Sequence, residues 1–360
     1  MLQKFCEKHK IKPQKIAVGV SGGADSLYAV LKTQEELSKL GFKVIALTVD
    51  HGLRATSEKE ANFVHKLMKV YDIEHHILAW QGKKPKNGME EAARLARYDL
   101  LENWCVAHDV HYLITAHHLL DQAETFFMRL QRGSGLDGLC GMKELTPLKS
   151  ICILRPFLKE NPENFKTYLK KSKISWVEDE SNSDENLLRV KMRHFLPLLE
   201  QKTGITPEKI VQTMECLQGT RAYFERKIKS IIENNFKHPD EKVFCCAQAF
   251  FCESDAEIQY RLLCFLLKNI ANLCYAPEAD KVLGLLEKLK KEHFKSATLG
   301  HCHVIKQNGF IWFLPEIREF KPCSKELWKK YMCAHLIDRK IKFPAAVKRF
   351  LTQNYNENHI

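Results

Sequence analysis

The stretch Ile16-Ala17-Val18-Gly19-Val20-Ser21-Gly22-Gly23-Ala24-Asp25-Ser26 is an apolar run, a glycine turn and the opening of a helical pattern that continues from Leu27 to Leu40. Strand, turn and helix in that order bring the N–H groups of a first helical turn, two hydroxyls and a closely approaching glycine backbone to one point. That geometry holds phosphate. No Lys follows the glycines, as it does in a Walker-type loop that grips the β- and γ-phosphates for transfer. A loop without that cation suits pyrophosphate as a leaving group, with a metal neutralising its charge.

Working outward, apolar runs rich in β-branched residues recur at Val44–Val49, His76–Trp80 and Tyr112–Thr115, alternating with helical patterns. The alternation predicts an α/β fold, a doubly wound, Rossmann-like parallel sheet with helices on both faces. Ser21, Asp50 and His117 all fall at or just past C-terminal strand ends, where such sheets bind ligands. Phe126, Phe127 and Leu130 keep helical spacing up to Gly133, which puts Asp121 near a helix start, where a carboxylate suits the dipole. Beyond Leu154 the pattern is a short strand, a helix from Glu163 to Lys171, an extended Ile174–Val177, an acidic polar loop and a helix through Phe195.

Thr203-Gly204-Ile205-Thr206-Pro207 breaks the pattern and starts a new helix with Pro at its head. The expected domains are therefore 1–203, the α/β domain; 204–295, a helical domain; and 296–360, a small α+β segment. The leucine stripes of Arg261–Leu273 and Lys281–Lys290 read as core packing. Cys302–Ile305 and Phe310–Phe313 flank Asn308-Gly309, a strong hairpin signal, with His301 and His303 expected on one exposed strand face. The last stretch gathers Lys325, Lys329, Lys330, Arg339, Lys340, Lys342, Lys348 and Arg349 around Trp328, Tyr331 and Phe343, which suits either RNA contact or an amphipathic helical cap.

A 360-residue chain with 45% hydrophobic residues can bury a large core and is not a disordered tail. Lys and Arg outnumber Asp and Glu by 56 to 44, a balance that favours a polyanionic partner. Its 13 cysteines are scattered, odd in number and without any Cys-x-x-Cys, so a disulfide framework, a zinc site and an iron–sulfur site are all disfavoured. No apolar run approaches a membrane span and Met1–Lys15 lacks a signal-peptide core, so a cytoplasmic protein with no membrane partner is expected.

Ser21 to Ser26 matches Ser-Gly-Gly-x-Asp-Ser, the shared motif of the PP-loop or N-type ATP pyrophosphatases, which split ATP between the α- and β-phosphates and adenylate a carbonyl oxygen. Further motifs narrow the resemblance: Asp50-His51-Gly52-Leu53-Arg54, Glu91-Ala92-Ala93-Arg94, His117-His118-Leu119-Leu120-Asp121-Gln122-Ala123-Glu124-Thr125, Arg132-Gly133-Ser134-Gly135, Leu154-Arg155-Pro156 and Glu178-Asp179-Glu180-Ser181-Asn182. In this order and spacing they resemble the tRNA(Ile)-lysidine synthetase family, densely over the first 200 residues and loosely beyond. Three positions depart from the family pattern. Leu120 stands where a second acid is usual, Glu180 where Pro is usual, and Val190 where Asn commonly follows Arg189.

The resemblance implies ATP-dependent ligation of free lysine to C2 of the wobble cytidine of tRNA(Ile) with a CAU anticodon, through an adenylated cytidine, giving AMP and pyrophosphate. It also allows a homodimer. Ser21, Gly22, Gly23, Ala24, Asp25, Ser26 and Asp50 are then the nucleotide-binding candidates. Asp25 and Asp121 are the candidates for Mg²⁺, which prefers hard oxygen ligands. The catalytic candidates are Asp25, His117 and Asp121, with the base for the lysine amine open between His117 and Asp121. Arg94, Glu124, Arg132, Asp179, Asn182, Arg189 and Arg193 are candidates for substrate and tRNA contact, the arginines by bidentate binding of phosphate or carboxylate. A PP-loop tRNA thiolase would need paired or persulfide-bearing cysteines near the site, and none have suitable spacing. A non-catalytic RNA-binding protein with a vestigial loop is the other rival, against which the intact Asp25, Asp121 and Glu124 weigh.

Overall fold

The computed structural model describes residues 1–53, 57–82, 84–85, 88–178, 188–273, 276–316 and 343–357. They form two compact units, Met1–Gly219 and Thr220–Ile360, where the sequence suggests divisions after 203 and 295. In the first unit the elements run α1 (Leu2–Lys8), β1 (Lys15–Gly19), α2 (Ala24–Leu37), β2 (Lys43–Asp50), α3 (Ser57–Val70), β3 (Glu74–Ala79), α4 (Met89–Ala107), β4 (Tyr112–Ile114), α5 (Leu119–Gln131), α6 (Leu136–Leu139), β5 (Leu145–Leu148), β6 (Ile151–Leu154), α7 (Pro162–Lys171) and α8 (Leu188–Thr203). The helix α9 (Pro207–Asn235) begins at the proline that the sequence marks and runs from the first unit into the second.

The strand order is β3-β2-β1-β4-β6-β5, parallel except for β5, which lies antiparallel on β6 at the edge. β1 is central because it can be dry on both faces: Ile16, Ala17 and Val18 are each 0% exposed. Ile16 and Val18 pack with Leu27 and Val30 of α2, Val64 and Met68 of α3, and Phe165 of α7. Ala17, one residue out of phase, joins Leu101 and Cys105 of α4 on the opposite face, as strand alternation requires. The chain moves outward through β1, β2 and β3, then crosses to β4 on the other side. The ends of β1 and β4 are therefore the switch point at which the flanking connections diverge. The short strand expected beyond Leu154 instead ends there as β6. Ile174–Val177 is extended but belongs to no sheet.

The second unit continues with β7 (Phe236–Asp240), β8 (Val243–Ala247), α10 (Gln248–Glu253), α11 (Ala256–Ile270), α12 (Ala279–Lys290), β9 (Ser296–Leu299), β10 (Cys302–Gln307), β11 (Phe310–Pro315) and α13 (Ala345–Glu357). Its antiparallel sheet has the order β7-β8-β11-β10-β9. The wholly helical reading of 204–295 is thus corrected by β7 and β8. Val243 and Cys245 face Val347, Phe350 and Leu351 of α13, while Phe236 and Cys246 face Leu262 and Leu266 of α11. With both faces covered, these strands lack the apolar–polar alternation that would mark them. The Asn308-Gly309 hairpin forms as expected between β10 and β11. His301 sits at φ +60° in the turn before β10, so it does not share a strand face with His303. Of the basic–aromatic stretch, Phe343 is buried against Trp312, and Lys348 and Arg349 lie on α13, while its residues up to Lys342 lie outside the described residues.

Behind α5, the connection 133–142 is wound against the helix by buried polar bonds. Gln122 pairs with the Met142 backbone in both directions, at 2.9 and 2.8 Å, and Arg129 Nη1 donates to the carbonyls of Gly138 and Gly141. Gly141 takes φ +68°, and a Cβ there would stand 1.9 Å from Met214 Cε and 2.6 Å from Gln122 Oε1. Gly141→Ala is expected to lower the unfolding free energy by about 3 kcal/mol through strain and overpacking, measurable as a lower urea midpoint at unchanged m-value.

Candidate active site

The loop after β1 is shaped before any ligand arrives. Ser26 Oγ accepts from the Ser21 N–H at 3.1 Å and donates to the Gly23 carbonyl at 3.0 Å, closing the turn on itself. Ser21 Oγ stands 3.2 Å from the same hydroxyl. Gly22 takes φ +87°, and a side chain there would meet Val64 Cγ2 at 3.2 Å. Gly23 is the N-cap of α2 and supplies no capping side chain. The N–H groups of that first turn thus have no side-chain acceptor and suit an anion. The Gly22 carbonyl accepts from the Val177 N–H at 3.0 Å, so the segment entering the acidic loop is bonded directly to the phosphate cradle.

Across the switch point, α5 begins with a reciprocal cap. His118 Nδ1 accepts from the Asp121 N–H at 3.4 Å and the Asp121 carboxylate accepts from the His118 N–H at 3.0 Å. His118 Nε2 lies 3.4 Å from Asp25 Oδ2 and 3.5 Å from Asp121 Oδ2, so the two predicted acids meet across one imidazole. Burial opposes charge on the His118 ring, but Asp25, Asp121 and Glu124 outweigh it and raise its pKa. Burial likewise pushes the Asp121 carboxyl up, and the cationic side of His118 and the Arg189 guanidinium more than reverse that. His117, one of the two candidates for the base, has its Nδ1 2.8 Å from Thr115 Oγ1. Burial takes its pKa down to about 3, against the pull of Asp121 and helped by Arg155, Arg189 and Arg94, so the ring is neutral at physiological pH.

Glu124 is 0% exposed, one turn further along α5. Arg189 Nε donates to its Oε2 at 2.7 Å and Arg193 Nε to its Oε1 at 3.0 Å, while Arg189 Nη2 donates to Asp121 Oδ1 at 2.7 Å. Four of the predicted site residues are therefore gathered into one charge network that ties α8 to α5. Leu120, at the position where an acid is usual, lines a cavity of about 160 Å³ with Glu124, Arg193, Leu196 and Pro207.

The other predicted residues are more dispersed. Asp50 ends β2 and its Oδ1 accepts from the Gly52 N–H at 2.8 Å. Arg94 is exposed on α4, its guanidinium 5.2 Å from the Tyr98 ring centre, yet close enough for its charge to act on His117. Arg132 is the C-cap of α5, at the far end of the helix from Asp121, roughly 16 Å away at 1.5 Å per residue. Asp179 and Asn182 lie outside the described residues. His118 and Val177 carry more of the geometry than their sequence reading suggests. Both ring nitrogens of His51 are buried without a hydrogen-bond partner among the described residues.

A family model described as PP-loop domain matches residues 1–199. The tRNA(Ile)-lysidine synthase of Wolbachia sp. subsp. Brugia malayi is 31% identical over 330 residues, covering 91% of this chain and 76% of that one. The chain belongs to the tRNA(Ile)-lysidine synthase family. The corresponding protein of Wolbachia pipientis wMel is 33% identical over 305 residues, covering 84% and 70%. Among solved structures, a U34-tRNA thiolase from Methanococcus maripaludis with its [4Fe-4S] cluster shares the fold, at a TM-score of 0.50 and 20% identity over 57% of this chain and 72% of that one. That likeness extends to fold alone. Among the described residues no group of three or more His, Cys, Asp or Glu is placed to hold a metal ion. Burial also pushes the Cys105 thiol up to about 12, far from the reactive range. No helix among the described residues is long and apolar enough to cross a membrane.

Arg189→Met removes a partner from both Asp121 and the fully buried Glu124, and is expected to cost about 3 kcal/mol of unfolding free energy by urea titration, more than Arg193→Met. A depressed Asp121 pKa contributes stability that is present above the unfolded value of about 3.9 and is lost as the pH falls through the folded value. Between pH 5 and pH 3 the wild-type urea midpoint should therefore fall more steeply than that of Asp121→Asn.

Proposed function

We propose that this chain catalyses ATP-dependent ligation of lysine to the wobble cytidine of tRNA(Ile) with a CAU anticodon, forming lysidine, AMP and pyrophosphate. One observation carries the reading beyond family membership. The loop Ser21–Ser26 and the acid-bearing start of α5 converge at the β1/β4 switch point, with Asp25 and Asp121 on either side of His118.

In the first step the cytidine O2 attacks the α-phosphorus and pyrophosphate leaves. Ser21, Gly22, Gly23 and Ser26 receive the departing group with N–H and O–H donors, and the uncapped first turn of α2 favours the charge that develops there. Asp25 and Asp121 would be the hard-oxygen ligands for Mg²⁺, which when bound would supply neutralisation of the phosphate charge. Asp25 suits this best, with a side chain 44% exposed, whereas both Asp121 oxygens already accept from the protein. The absence of a P-loop lysine accords with release of pyrophosphate rather than transfer of a γ-phosphoryl group.

In the second step the lysine ε-amine attacks C2 and AMP leaves, which requires the amine to lose a proton. The acceptor is open between His117 and Asp121: the His117 Nε2 carries no hydrogen bond among the described residues but burial makes its ring a weak base, while Asp121 is committed to Arg189 and His118. Arg94 stands on the exposed side of the same site, where it suits a phosphate or the lysine carboxylate.

Purified protein given ATP, Mg²⁺, labelled lysine and a tRNA(Ile) transcript with a CAU anticodon should incorporate label, with one AMP and one pyrophosphate per event. A transcript with uridine at the wobble position should take up none. Asp121→Asn should reduce incorporation by about 100-fold or more. Folded wild-type protein that leaves the CAU transcript unlabelled would reject the proposal.

A further inference from the structure

The two acids at the switch point are held very differently. Asp121 is clamped by Arg189 Nη2 at 2.7 Å, by the His118 N–H at 3.0 Å and by its place on the first turn of α5. Asp25, on the first turn of α2, has a side chain 44% exposed, and the His118 ring is its one side-chain partner among the described residues. Without that partner its two torsions are free to carry the carboxylate into solvent.

The ring itself has little freedom. His118 is 5% exposed and sits edge-on to Phe165, with ring centres 6.0 Å apart. Its Nδ1 accepts from the Asp121 N–H, which assigns the remaining proton of the neutral ring to Nε2. Nε2 stands between Asp25 Oδ2 at 3.4 Å and Asp121 Oδ2 at 3.5 Å, within ion-pair distance of both carboxylates. The side chain that caps α5 thereby also reaches across to α2.

We propose that His118 is the positioning residue of this site: it turns the Asp25 carboxylate toward Asp121, so that the two acids act as one oxygen set beside the phosphate loop. The role rests on the reading of Asp25 and Asp121 given under the proposed function. It differs from that of His117, whose Nδ1 faces Thr115 rather than Asp25. A ring that acts through Asp25 affects the turnover of the pyrophosphate-releasing step and leaves lysine binding alone.

Capping and bridging can be separated by substitution. Asn is among the strongest N-cap residues and replaces the acceptor that α5 loses, but its short side chain does not reach Asp25. Gln is longer and carries an amide N–H donor that spans more of the gap. His118→Asn is expected to unfold within about 2 °C of wild type. It should lose about 10- to 100-fold in kcat for pyrophosphate release with the CAU transcript, as support residues around ligand-holding groups do, with the KM for lysine unchanged. His118→Gln should recover at least threefold of that loss. A crystal structure of His118→Asn, which needs no turnover, should show the Asp25 carboxylate swung away from Asp121.

A wild-type kcat in His118→Asn would overturn the proposal. So would defects in the Asn and Gln variants that merely follow their thermal midpoints, or an Asp25 carboxylate unmoved in the variant crystal. Should the wild-type protein itself form no lysidine, the fault lies with the functional reading, and the position of Asp25 in the variant crystal still decides the role of His118.

Discussion

A carboxylate with no access to water must be paired, and the pairing of Glu124 organises much of the first unit. Its two oxygens take one donor each from Arg189 and Arg193, so α8 can pack on α5 in only one rotation and at one height. The same Arg189 reaches Asp121 and fixes the carboxylate that faces the phosphate loop. Removing water from such a group costs far more than a surface pair returns, so the arrangement is held by the penalty of breaking it rather than by the attraction alone. Leu119 and Ala123 of α5 share an apolar cluster with Leu196 of α8 and with Met214, and the arginine side chains of the pair keep 38% and 39% exposure.

From this follows a division of labour between the two ends of the switch point. The loop after β1 offers only neutral donors and a helix dipole, which bind an anion without a fixed positive charge. The start of α5 offers anions that are already balanced by arginines and a histidine. Pyrophosphate can leave such a site more readily than one in which a lysine holds it. Within the family, Leu120 gives this chain an apolar wall where an acid is usual, beside Glu124 and Arg193 in the small cavity between α5 and α8.

Much of this was legible in the residues, and the failures are instructive. β1 and its loop were readable because a run dry on both faces, two glycines and a helical period follow each other without interruption. The Pro207 helix start and the Asn308-Gly309 hairpin were readable because both signals are local. β7 and β8 were not, since Cys245 and Cys246 of β8 pair with Trp312 and Ile311 of β11, about 65 residues away, and β7 pairs in turn with β8. His117 and His118 are adjacent and identical in type, and only the backbone rotation at the helix cap decides which ring turns inward. Glu124 reads as a substrate or tRNA contact, and its complete burial is not legible because charged residues are seldom buried. Its burial depends on two arginines that lie 65 and 69 positions further along the chain.

The bond from the Val177 N–H to the Gly22 carbonyl also places an optical probe. Trp176 is the preceding residue, half-buried against the core that supports α2. An indole one residue from the cradle's backbone partner responds to changes in polarity and packing there. With the other four tryptophans replaced by phenylalanine, its emission offers a label-free gauge of nucleotide occupancy that leaves every acid in place.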